Sequence, residues 1–266
     1  MLKLDKKYRY IIHSALMATY VYVASVVFWN SSFYLRVVFG LLLLLVSTFF
    51  VHYPNVGRKN LGDFVMVLIL PSYLLGSVLL ALKYYPNLSI IFKIVMMLGS
   101  AVMFYIIAIV DNIFLVVNER EETIPLYRAA VPWSQILLVV VSIPLYAGIF
   151  KIPTNSFIQA FIIGILACVL NLYQFWSYRH EDNLVSVRVG GIGLFSIFVG
   201  FITFVVGIAT SFLPVESFLR GLTASAGLMF GLFYTSSFLK NSINKRLLFE
   251  YIAIILGFIL LSILFQ

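Results

Sequence analysis

The sequence predicts an all-α fold, a polytopic transmembrane bundle of about nine spans with its N-terminus in the cytoplasm and its C-terminus outside. Three observations carry that expectation. The 266 residues are 62% apolar and only 11% charged, with a mean hydropathy of +1.06, whereas water-soluble domains run at about 45–50% apolar and about 25% charged. The apolar residues fall in runs of about 20, the length an α-helix needs to cross roughly 30 Å of hydrocarbon. The runs do not alternate in polarity as the strands of a membrane barrel do; 41–46, for instance, is five leucines and a valine.

The spans are expected near 10–30, 33–52, 63–83, 89–115, 133–150, 157–177, 188–212, 217–239 and 247–265. The first follows Lys3, Lys6, Lys7 and Arg9, a basic start like that of a signal peptide. Its apolar stretch is too long for one, and no Ala-x-Ala site follows, so it reads as an uncleaved helix. Arg36 in the second and Lys93 in the fourth stand near helix ends, where long side chains reach the headgroups. Pro71 in the third and Pro144 in the fifth each remove a backbone donor and are expected to bend their helices. The fourth span is long enough that a crossing begun near Lys93 ends close to Asp111, which places Asp111 at the interface.

The loop after it, with Asn118, Glu119, Arg120, Glu121, Glu122, Pro125 and Arg128, reads as a solvated connection to the fifth span. The sixth carries Asn171 and Gln174, three apart and so on one face, with Tyr178 a turn further. In the seventh, Gly193, Ser196, Gly200, Thr203, Gly207 and Thr210 step alternately by three and four, a seam of small residues suited to close helix contact where lipid gives no hydrophobic drive. The eighth repeats Thr223, Gly227, Gly231 and Thr235 every four. The seam is read as packing, with Phe198 on the lipid side of the helix.

The topology assigns every loop to a side. Of 18 basic residues, Arg36, Lys83, Lys93, Lys151 and Arg220 fall outside and the rest inside, as the positive-inside rule requires. Loops are short, so residues 1–266 are expected to form a single integral membrane domain. The net charge of +8 is spread over these short gaps and gathers into no groove for nucleic acid. Cys168 has no partner for a disulfide or a cysteine metal site. His13, His52 and His180 stand at helix ends and are not read as metal ligands.

Polar chemistry gathers on the cytoplasmic side. Asp111 and Asn112 lie about as far from their helix end as Asn171 and Gln174 do from theirs, so these four are the expected ligand-binding cluster, with Arg128 or Arg179 offsetting the desolvation of the carboxylate. Asp111-Asn112 and the stretch from Tyr178 to Asp182 bear a likeness to the two acidic motifs of intramembrane prenyltransferases, which hold a Mg²⁺-bound diphosphate. That chemistry needs carboxylates one turn apart, and Leu115 stands where the second would be. Glu121-Glu122 is similar to the pair in CAAX-type intramembrane proteases, but Leu126 replaces their arginine.

The stretch from Asp111 to Ala130, with Asn118-Glu119-Arg120, Ile124-Pro125-Leu126 and Arg128-Ala129-Ala130 after a long apolar helix, resembles a pattern in uncharacterised multi-pass membrane proteins of candidate-phylum bacteria. The resemblance implies a membrane protein without an assigned reaction. No motif calls for a cofactor or a catalytic residue. The sequence therefore favours a non-catalytic protein of a bacterial inner membrane, either a subunit of a membrane complex or a handler of lipid or small solute. Its expected partners are membrane lipids and another membrane protein or a second copy of itself, not nucleic acid. A lipid-linked transferase with a cytoplasm-facing acidic site is the alternative.

Overall fold

The computed structural model describes residues 6–26, 32–52, 61–85, 88–120, 124–181, 189–243 and 245–264. Among them stand nine helices and no strand: α1 (Lys6–Val26), α2 (Phe33–His52), α3 (Leu61–Tyr84), α4 (Ile90–Arg120), α5 (Pro125–Ile149), α6 (Ser156–Ser177), α7 (Val189–Ser211), α8 (Ser217–Leu239) and α9 (Lys245–Leu264). Seven of them, α2 to α8, are long and apolar enough to cross a membrane. The chain is a multi-pass helical membrane protein. Arg58, Lys59, Glu121, Glu122, Asp182 and Arg188, used in reading the topology and the acidic motifs, lie outside the described residues.

Most helices begin and end within a few residues of their expected bounds, and α5 departs from them. It starts at Pro125 instead of near 133, because proline lacks only a donor that the first turn leaves unused and its fixed φ suits a helix start. Arg128 therefore lies on a helix, not in a loop. Helix α3 continues through Pro71 without a break.

The helices cluster into two compact units, Met1–Ser134 and Gln135–Gln266. In the first, α1 packs against α2, α3 and α4, α2 against α3, and α3 against α4. Met17, Ala24, Val67, Leu70, Phe104 and Ile107 form its fully buried centre. Gly40 lets α2 approach its neighbours: a Cβ there would stand 2.8 Å from the Tyr20 ring and 3.1 Å from Leu75. Beside it the Tyr20 hydroxyl donates to the Arg36 carbonyl.

In the second unit α7 packs between α6 and α8, and α9 lies on α8. The small-residue seam of α7 faces these neighbours. A Cβ on Gly200 would meet the Gly164 carbonyl oxygen at 2.7 Å, and one on Gly207 would meet Ala160 at 3.4 Å. Thr203 and Thr210 are buried and bond back to the backbone of their own helix. The stripe on α8 meets the other side of α7, with Gly227 against Val206 and Gly231 against Val199. The seam stops at Ser196, since nothing comes within 4 Å of a Cβ on Gly193. Nor does Phe198 face lipid alone; its ring packs on Tyr234 at 5.5 Å.

Candidate functional site

Within the first unit, Asp111 is fully buried. It shares a face of α4 with Phe104, Ile107 and Ala108, seven, four and three residues back, and α4 packs that side on α1. Asn112, one position round the helix, is half-buried, and Arg128 is exposed in the first turn of α5. A second buried carboxylate, Asp63, sits in the first turn of α3, where the helix dipole favours negative charge, and accepts a long 3.5 Å bond from Asn118.

Sequence reasoning treated the histidines as scattered, yet α1 and α2 bring two of them into one buried cluster. His13 Nδ1 lies 3.0 Å from Ser47 Oγ, and its ring meets Phe104 edge-on. His52 lies with its ring centroid 6.5 Å from that of Tyr10, one turn before His13. Thr48 Oγ1 and His52 Nδ1 are buried without a hydrogen-bond partner. In the sequence only a few residues separate α1 from α2, which makes them an antiparallel pair, but which of their polar residues meet depends on the register between them. Among the described residues no three His, Cys, Asp or Glu side chains come together in a way that could hold a metal ion.

Within the second unit, Asn171 and Gln174 are fully buried. The Asn171 amide donates to Ser196 Oγ on α7 at 3.1 Å, and that of Gln174 to the Leu232 carbonyl on α8 at 3.0 Å. Gln174 also reaches the Tyr178 hydroxyl at 3.5 Å, and Gln135 of α5 donates to the same oxygen. Tyr178, just beyond the end of α6, is held in its neutral form, its pKa pushed up to about 12 by burial. Lys240 lies over its ring at 5.5 Å and pairs with Glu181 at 2.8 Å. Arg179 is exposed. These amides tie α5, α6, α7 and α8 together, and the carbonyl oxygens of Asn171 and Gln174 are buried without a partner.

A second feature of this unit is an open furrow of about 360 Å³ between α6 and α7. Gly164 and Gly200 leave out side chains where the helices touch, and Phe157, Phe161, Phe201 and Phe204 stand around the gap with Ile165, Cys168 and Ile197. Every lining residue is apolar or is the lone cysteine. Phe157 meets Phe204 edge-on at 5.5 Å and stacks on Phe161 at 6.5 Å, which fixes one end of the wall.

No family model, curated protein or solved structure matches this chain. The resemblance of the Asp111 to Ala130 stretch therefore carries no family assignment, and the functional argument rests on the furrow and the polar clusters.

Proposed function

We propose that the protein is a non-catalytic handler of membrane lipid in a bacterial inner membrane, and that it holds one acyl chain in the furrow between α6 and α7. The furrow itself carries this reading. Its volume falls within the range of about 300–1,000 Å³ typical of small-molecule sites. From Phe157 to Cys168 it follows twelve residues of α6, a rise of about 16 Å at 1.5 Å per step, close to half of a hydrocarbon core of roughly 30 Å. That is the length available to a chain from a single leaflet. Water gains nothing from such a lining, because an apolar cavity offers it no hydrogen bonds. An acyl chain fills it by dispersion contacts with the phenylalanine rings. Asn171 and Gln174 contribute by fixing α6 against α7 and α8, so that the furrow keeps its shape.

Native mass spectrometry of the protein released from mild detergent tests this reading. The wild type should retain one lipid mass. Ile165→Trp with Ile197→Trp should lose it, because these walls are 50% and 67% exposed and can fill the furrow without touching the Gly164–Gly200 contact. Equal retention by both proteins, or a retained mass that is not a lipid, would refute the reading.

A further inference from the structure

Two hydrogen-bond acceptors inside the second unit are met by no donor among the described residues. They are the side-chain oxygens of Asn171 and Gln174, on residues that are 0% exposed. Turning either amide over does not help. The Gln174 nitrogen points at the Leu232 carbonyl, which can only accept. The Asn171 nitrogen points at Ser196 Oγ, whose own proton is spent on the Ile192 carbonyl at 2.9 Å. Both amides are therefore fixed with their oxygens turned away from these contacts.

The hydroxyls on the same three helices are committed as well. Ser177 donates to the backbone carbonyl of Gln174, Thr203 to that of Val199, Thr235 to that of Gly231 and Ser236 to that of Phe233. A buried acceptor left unmet is costly, and a bundle in lipid has no bulk water within reach to meet it. Asn171 and Gln174 lie three apart on one face of α6, with Cβ atoms about 5–6 Å apart. A ligand the size of water can reach both oxygens.

Such a ligand has to bring hydrogen-bond donors without charge. No Asp or Glu occurs in α5, α6, α7 or α8, so a cation would find no countercharge on the surrounding helices. Glu181, beyond the end of α6, already pairs with Lys240 at 2.8 Å. Water carries two donors, one for each oxygen, and buried water characteristically meets polar groups that a protein leaves unsatisfied.

We propose that Asn171 and Gln174 bind a water molecule between α6, α7 and α8, which donates to both side-chain oxygens. It joins the Asn171 bond to α7 and the Gln174 bond to α8 into one network, in which each bond polarises the next. The site is separate from the furrow and does not depend on what the furrow holds.

Water-edited solid-state NMR of the full chain, in bilayers of acyl-deuterated lipid, tests the proposal. Magnetisation started on water should reach the side-chain carbonyl carbons of Asn171 and Gln174 several-fold faster than the side chains of Ala167 and Leu170, which are equally buried and apolar. Gln174→Met removes one of the two acceptors and should slow the transfer to Asn171 several-fold. Transfer to both amides no faster than to Leu170 would overturn the proposal, and this wild-type measurement decides even if Gln174→Met fails to fold. Undiminished transfer to Asn171 in a folded Gln174→Met would overturn the shared site. Replacing sodium chloride by choline chloride at equal ionic strength should leave the unfolding temperature unchanged, and a fall would assign the site to a metal cation instead of water.

Discussion

Two glycines on one helix allow the α6–α7 contact to be measured against an internal reference. Gly200 and Gly193 lie seven residues apart on α7, and alanine at either gains about 1 kcal/mol of helix propensity. Their surroundings differ. A Cβ on Gly200 would stand 2.7 Å from the Gly164 carbonyl oxygen and 3.2 Å from Cys168 Cβ, whereas one on Gly193 meets nothing within 4 Å. The oxygen belongs to a helix backbone and cannot swing aside as a side-chain tip would, so α6 and α7 must separate. Overpacking of this kind costs about 1–3 kcal/mol. Because the propensity gain cancels in the comparison, Gly200→Ala should be less stable than Gly193→Ala by about that amount. At roughly 2–4 °C per kcal/mol for a chain of this size class, thermal unfolding in detergent resolves the difference. Equal unfolding temperatures would show that the two helices do not meet at Gly164 and Gly200.

Three further outcomes are expected. Tyr178→Phe removes the oxygen that Gln135 and Gln174 share, leaving buried donors unmet at a cost of about 1–3 kcal/mol. With the folded-state pKa of Tyr178 raised from 10.0 to about 12, its stabilisation is complete below pH 10 and is lost as pH rises toward 12. The wild type should lose more of its unfolding temperature across that window than Tyr178→Phe, and parallel curves would refute the assignment. Asn171→Leu breaks the bond to Ser196 and should cost about 0.6–2 kcal/mol; unchanged stability with loss of a retained lipid, seen by native mass spectrometry, would instead place Asn171 at a ligand. A reporter active only outside the cytoplasm should be active when fused after Gln266 and inactive when inserted at 121–124, and the reverse at either point would reject the nine-span orientation.

Much of this architecture was legible because each helix announces itself by a run of apolar residues as long as the membrane is thick. Helix–helix contacts were legible where they depend on the absence of a side chain: the spacing of Gly200 and Gly207, and of Gly227 and Gly231, marks the faces of α7 and α8 that meet their neighbours. Gly193 continued the same spacing without a neighbour, since periodicity describes a stripe and not how far the next helix extends. The start of α5 was missed because Pro125 reads as a break, although the first turn of a helix accommodates proline. The cluster of His13, Ser47 and His52 was missed because it depends on the register between two helices. Asn171 and Gln174 were legible as buried polar side chains, but their bonds to Ser196 and to the Leu232 carbonyl required the third dimension. The furrow had no sequence signature, because the phenylalanines that form it look like any other apolar residues of a span.

The boundary between the compact units falls inside α5, between Ser134 and Gln135, and this bears on biogenesis. Chains are made from the N-terminus and fold domain by domain as they emerge. The four helices that form most of the first unit can therefore be inserted and packed while the residues of α6 to α9 are still being synthesised. Helix α5 begins in one nascent assembly and ends in the other. A ribosome pausing within it would leave a packed N-terminal half in the bilayer, attached to a helix whose second part has yet to find its neighbours.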